Sequence, residues 1–209
     1  MAGLELVTPD VPPRDRRRRA PATRGAILEA VRELLTTRRL DDLQVNEIVE
    51  RAGISRQTFY VHFETKYSVI AALIADTGEG ILEIWAPVFD GDGPISEVQV
   101  RQSSKGTITH WRAQATLFSA TIEGWHTDAE IHDVWNQVLA RFEERFAARV
   151  VRHRAGTPRR NDDMLVGALM EAFQRCLYLA MSVPDSAFGR SDDDLADMLA
   201  ALWIKALSD

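Results

Sequence analysis

Between Val45 and Phe63 the sequence VNEIVERAGISRQTFYVHF calls for two short helices joined by a tight turn, and this limits the fold more than any other stretch. Val45, Ile48 and Val49 share the inner face of a helix over about Val45 to Ala52. Gly53 stands where a left-handed residue ends a helix. Ser55 can cap the next helix, about Arg56 to Phe63, by accepting a free N–H of its first turn. Phe59 and Phe63, four residues apart, and Ile54 before them anchor it. Upstream, a first helix from near Thr23 carries Ile27, Val31, Leu34 and Leu35 on one face. Downstream, Thr65 caps a fourth helix that begins at Lys66 and carries Val69, Leu73 and Ile81. Helix, short helix, Gly turn, short helix is the helix-turn-helix layout, whose second short helix enters the major groove of DNA.

The remainder also reads as helix. There is no period-two run and no repeat, and Pro and Gly gather only at Asp90–Pro94, Gly156-Thr157-Pro158 and Val183-Pro184, the expected breaks. Thr127-Asp-Ala-Glu130 has the pattern of a capping box, followed by Ile131, Val134, Trp135, Val138, Phe142 and Phe146 at helical spacing. Asp162 or Asp163 opens another helix, with Leu165, Leu169, Phe173, Leu177 and Met181 in one row and Met164, Ala168, Ala172, Cys176 and Ala180 beside it. Ser191 caps the last, which carries Leu195, Met198, Leu199, Leu202 and Trp203. A helix packed on one side needs an apolar stripe of roughly 100°. The last two exceed it, so a second copy of the chain is expected to cover the excess in a homodimer. The fold class is all-α, in three segments: a flexible basic arm (1–22), a helix-turn-helix domain (23–66) and a helical domain (67–209).

Charge follows the same division. Residues 1–66 carry 12 basic and 10 acidic side chains, against 13 and 21 in the remainder, so a front of net +2 sits before a body of net −8. That contrast suits a protein presenting one end to a polyanion, as readily as chance unevenness. The arm holds four prolines and the run Arg14 to Arg19, which can follow phosphates or enter the minor groove, or simply solubilise. Hydrophobic residues make up 45% of the chain, enough for a sizeable core. The single cysteine excludes an intrachain disulfide framework. The start of the chain lacks the apolar segment of a signal peptide and no apolar run approaches a membrane span, so a soluble cytoplasmic protein is expected.

No acid occurs from Gly53 to Phe63, while hydrogen-bonding side chains are dense. With Phe59 and Phe63 turned inward, Arg56, Gln57, Thr58, Tyr60, Val61 and His62 face outward. Arg and Gln read guanine and adenine edges with paired hydrogen bonds, Thr and Val meet the thymine methyl, and Tyr and His reach phosphate. The start of the fourth helix, with its free N–H groups and Lys66, suits a phosphate. Ile27 to Leu73 resembles the DNA-binding domain of the TetR family of transcriptional regulators, through Ile48-Val49-Glu50-Arg51-Ala52-Gly53-Ile54-Ser55-Arg56, Thr58-Phe59-Tyr60-Val61-His62-Phe63 and Thr65-Lys66. The resemblance implies DNA contacts from Ser55, Arg56, Gln57, Thr58, Tyr60, His62 and Lys66, and from Gln44 at the start of the second helix. There the family favours a capping Thr. Gln57 replaces the family's small residue and adds base-reading capacity.

The second half is rich in aromatics: Trp111, Phe118, Trp125, Trp135, Phe142, Phe173, Tyr178 and Trp203. Spacing alone leaves filled core and ligand pocket both open. Val134-Trp135, Phe142, Arg175-Cys-Leu-Tyr178 and Leu202-Trp203-Ile204 are similar to the ethionamide-resistance-regulator branch of the TetR family, whose aromatic tunnel binds apolar ligands. That similarity implies an apolar effector held by Trp111, Phe118, Trp125, Trp135, Phe142, Met170, Phe173 and Trp203. Met170 and Phe173 stand at the branch's Asn positions, so the wall is expected to be more apolar. Glu123, Glu171 and Gln174 are candidate polar anchors, and Glu171 with Arg175 also fits a plain i,i+4 ion pair.

The expected function is therefore a dimeric transcriptional repressor released from operator DNA by an apolar ligand. The alternatives are an all-helical enzyme and a ligand-independent DNA-binding protein. No nucleophile–base pair or Gly-rich phosphate loop supports an enzyme, and no cofactor is indicated. His126 and His132 are metal-ligand types, but six residues do not place both on one helical face. Cys176, in an apolar row, reads as an inert thiol.

Overall fold

The computed structural model describes residues 14–153, 161–183, 185–189 and 191–208, with side chains from residue 20 to 207 within those ranges. Among them are nine α-helices and no strand: α1 (Arg14–Leu35), α2 (Val45–Ala52), α3 (Arg56–His62), α4 (Lys66–Phe89), α5 (Glu97–Ala113), α6 (Ala115–Trp125), α7 (Ala129–His153), α8 (Asp162–Ser182) and α9 (Asp192–Ser208). A single 3-10 turn, Ala187–Gly189, lies between α8 and α9. They form two compact units that meet in the chain between Val69 and Ile70.

In the first unit α1 packs on α2, and α2 on α3. Ile27, Val31, Ile48, Phe59 and Val69 are fully buried, joined by Leu40 and Leu43 from the loop before α2. Helices of seven and eight residues have little stability of their own, so this shared core is what holds them. Gly53 ends α2 at φ 65°, ψ 36°, a left-handed conformation that costs an L-residue with a Cβ roughly 1–2 kcal/mol.

The first helix starts at Arg14, not near Thr23, so Arg14–Arg19 is helical backbone rather than part of a flexible arm. Arg and Ala are strong helix formers. They carry the helix through Pro21, which removes one backbone donor without ending it. Residues 1–13, the Gly156-Thr157-Pro158 break and Pro184 lie outside the described residues, as do the side chains of Arg14–Arg19.

In the second unit α5 packs on α9, α6 on α7 and α7 on α8. α4 and α7 approach closely where Gly78 faces Val138; a Cβ at position 78 would lie 2.5 Å from a Val138 methyl. Buried Arg149 donates to the Val88 carbonyl at 2.8 Å and Arg152 donates to that of Phe89. Together they serve two of the carbonyls that the end of α4 leaves open. Charge pairs run along the α5–α9 seam: Arg101 with Asp197, Lys105 with Asp193 and Arg112 with Asp192.

The cap of α7 is Asp128, not Thr127. Its Oδ1 accepts the N–H groups of Glu130 and Ile131 at 3.0 and 3.1 Å. The Thr127 hydroxyl donates back to the Glu123 carbonyl at 3.1 Å, ending α6 instead. Asp is as good a cap as Thr, and the TD pair let either residue serve. Among the described residues one helix, α8, is long and apolar enough to cross a membrane by length and composition; it packs on α7 and α9. Its row Leu169, Phe173, Leu177 is buried, whereas Met164 and Ala168 are exposed and Ala172, Cys176 and Ala180 half-buried.

Candidate functional site

α3 presents a polar face from a fixed base. Ser55, in extended conformation, accepts the Thr58 N–H at 3.1 Å. Phe59 is fully buried and its ring lies 6.1 Å from that of Phe63. Arg56, Gln57, Tyr60 and Val61 are exposed, and Thr58 and His62 half-buried. The Ser55 and Thr58 hydroxyls are 2.8 Å apart and occupied with each other.

Arg56 does not hang free. Its Nη1 donates to Asn46 Oδ1 at 2.9 Å and its Nη2 to the Tyr60 hydroxyl at 3.1 Å. Its guanidinium carbon lies 5.6 Å from the centre of the Tyr60 ring. Sequence reasoning missed Asn46. The only signal was a short amide on the outer face of α2, and its proximity to Arg56 follows from the turn angle, which the sequence does not spell out.

Lys66 stands differently from its expected role. Its ammonium donates to the Leu40 and Asp41 carbonyls, both at 2.8 Å, and so ties the loop before α2 to the start of α4. The N–H groups of Tyr67 and Ser68 are also taken, both by the Thr65 hydroxyl at 3.1 Å. Two expected elements of a phosphate site therefore have protein partners. Gln44 is exposed and precedes α2 without a side-chain cap bond. The Glu47 carboxylate accepts the Gln44 N–H at 3.0 Å, the half of a capping box that the N3 residue supplies.

The second unit encloses a cavity of about 430 Å³. All eight residues singled out in the sequence line it: Trp111, Phe118, Trp125, Trp135, Phe142, Met170, Phe173 and Trp203. Their rings meet edge to face, Trp111 with Phe118 at 4.6 Å and with Trp135 at 5.7 Å, the arrangement the aromatic quadrupole favours. Sequence reasoning missed Trp85 of α4, whose ring lies between 5.1 and 6.2 Å from those of Phe142, Phe146, Phe173 and Trp203. Its spacing of four from Ile81 was the available signal. The Trp85 Nε1–H donates to the Thr107 hydroxyl at 2.8 Å, which itself donates to the Ser103 carbonyl.

Among the candidate polar anchors, Glu171 and Gln174 line the cavity and Glu123 does not. Glu171, Arg175 and His126 are exposed parts of the wall. Arg175 lies over the Tyr178 ring at 5.0 Å rather than pairing with Glu171. His132 stacks on Trp125, with ring centres 6.2 Å apart. Among the described residues no group of three or more His, Cys, Asp or Glu is placed to hold a metal ion. Cys176 is half-buried and burial pushes its thiol up, away from the reactive thiolate.

Residues 27–73 match the family described as bacterial regulatory proteins, tetR family. Residues 100–208, just over half of the chain, match the C-terminal domain of the transcriptional regulator EthR. The chain is 25% identical to EthR of Mycobacterium tuberculosis over 93% of each protein. To the HTH-type transcriptional regulator YxbF of Bacillus subtilis it is 27% identical over 53% of its own length, spanning 29% of that protein. The solved structure of Salmonella enterica GusR superposes with a TM-score of 0.72 at 18% identity, covering 90% of this chain and 96% of that one. With the helix-turn-helix ahead of an all-helical second unit and both halves matched, the chain belongs to the TetR family of DNA-binding transcriptional regulators, not of enzymes, and carries a C-terminal domain of the EthR type.

Proposed function

We propose that the chain is a homodimeric repressor that binds operator DNA and is released by an apolar effector. The observation that carries this reading is the pairing, in one chain, of an anchored, acid-free reading helix with an aromatic-walled cavity of about 430 Å³. That volume lies within the range of small-molecule sites. Arg56, Gln57, Tyr60 and His62 of each subunit enter a major groove, with Ser55, Thr58, Gln44 and Lys66 at its edges. The two heads read half-sites about 34–36 Å apart or a multiple of that spacing. Lys66 both holds its own loop and, with its third proton, reaches a phosphate.

The dimer forms through α8 and α9. Support comes from the outer row of α8 and from Met198 and Leu202 of α9, each 37% exposed, with Met164 at 73%. Effector bound among Trp111, Trp135, Phe142 and Phe173 shifts the population toward a conformation with misplaced heads, by no more than its differential affinity for the two states. The protein acts in the cytoplasm, where its operator is.

Fluorescence anisotropy with the protein's own promoter DNA tests the reading. Arg56→Ala should weaken binding about 10–100-fold. Unchanged affinity and unchanged salt dependence would show that α3 is not the reading head. A Leu202→Glu variant should sediment as a monomer; a dimer that survives it would move the interface elsewhere.

A further inference from the structure

The first unit holds its arginines in two ways. Arg32, Arg38 and Arg51 lie beside carboxylates, those of Glu29, Glu47 and Glu33 in turn. Arg56 is held by neutral groups: Asn46 Oδ1, the Tyr60 hydroxyl and the face of the Tyr60 ring. The charge that α3 brings to DNA is therefore not cancelled by the residues that fix it. The two hydrogen bonds use one N–H on each Nη and leave three of the five guanidinium donors open. A long side chain that is already fixed loses less freedom on binding, and a fork fixed in direction favours one base edge over another. In the major groove guanine presents two acceptors, N7 and O6, whereas adenine sets a donor beside its one acceptor. A fixed set of donors matches the first and opposes the second. Asn46 is poorly placed to read adenine itself, because Oδ1, the atom that a paired contact would use, already faces Arg56.

We propose that Asn46 is a specificity-determining positioning residue. Through Oδ1 it aims Arg56 at a guanine, so each half-site of the operator carries a guanine whose selection depends on α2 as well as on α3. The proposal rests on the operator-binding reading above and adds a base to it.

The test uses the full-length protein to select from a library of duplexes randomised over two half-sites, and the enriched sequences are then compared as single duplexes by fluorescence anisotropy. The position whose preference disappears in Arg56→Ala is the one that Arg56 reads. There the unmodified protein should prefer guanine over adenine by about 10–100-fold. Asn46→Ala should cut that ratio about fivefold and leave the other positions and the salt slope as they were. Asn46→Asp keeps an acceptor beside Arg56, so it should keep the ratio while its added negative charge weakens binding to every sequence. Position 46 is exposed, so both variants should unfold near the temperature of the unmodified protein; a merely structural role would move that temperature and not the ratio. A base other than guanine at the Arg56 position overturns the proposal and leaves the operator-binding reading standing. So does a guanine preference that Asn46→Ala leaves whole, or one that Asn46→Asp also loses. No enriched sequence with the unmodified protein overturns both.

Discussion

The two units use the same apolar side chains in opposite ways. In the first, Phe59 and Phe63 fill a core so that polar groups on the other face of a seven-residue helix are held outward in fixed positions. In the second, Trp111, Phe118, Trp135 and Phe142 surround a space they do not fill. On the proposed function, recognition is on the outside of one and on the inside of the other. The difference teaches that a reading surface needs complete packing beneath it, whereas a receptor needs packing that stops short.

The sharpest way to break that comparison is to hollow out the filled side. Phe59→Ala should cost about 3–5 kcal/mol, seen as a lower unfolding temperature, and should severely weaken DNA binding, because α3 then loses its fully buried anchor. Phe142→Ala, at the wall of the existing cavity, should cost less, about 3 kcal/mol or below, since its ring already lacks partners on one side. An equal loss for the two would mean that the second unit is as tightly filled as the first.

A smaller change probes the outward face. Asn46→Ala leaves Arg56 in place but removes its 2.9 Å bond to α2. We expect a loss of about 1 kcal/mol in operator affinity, below that of Arg56→Ala, with an unchanged salt slope because no phosphate contact is lost. An effect equal to that of Arg56→Ala would make Asn46 a reader in its own right.

The smallest expected effect concerns protons. Burial pushes the His110 imidazole down from its usual value. Its Nε2 faces the Gln114 amide nitrogen at 2.9 Å, and the amide oxygen is held by the Thr77 hydroxyl at 3.1 Å. The unfolded chain therefore takes up this proton first. Stability should be unaffected above the ordinary histidine value of about 6.5 and should decline as pH falls below it, until the folded group also titrates. Unfolding temperatures at pH 7.5 and 5.5 check the sign, and His110→Gln should remove that part of the decline.

Much of the first unit was legible because its signals are local. Gly53, Ser55 and Thr65 announce turns and caps within four residues of where they act, and α2 runs over the stretch its apolar spacing indicates. The start of α1 was not legible, since Pro21 weighs heavily in any local reading although a long helix tolerates it. The lining aromatics were identifiable by type. Whether they enclose space was not, because a filled core and a cavity wall use the same residues at the same spacing. Nor could periodicity show that Lys66 would reach back to Leu40, or Asn46 across to Arg56: those contacts depend on angles between helices.

The two glycines that shape these units are required for unrelated reasons. At Gly53 nothing lies within 4 Å of where a Cβ would sit, and only the left-handed backbone excludes a side chain. At Gly78 the backbone is ordinary helix, and the Val138 methyls leave no volume. One position is therefore a question of chirality and the other of size. A D-alanine would suit the backbone at the first, whereas trimming Val138 to alanine would open position 78 and do nothing for position 53.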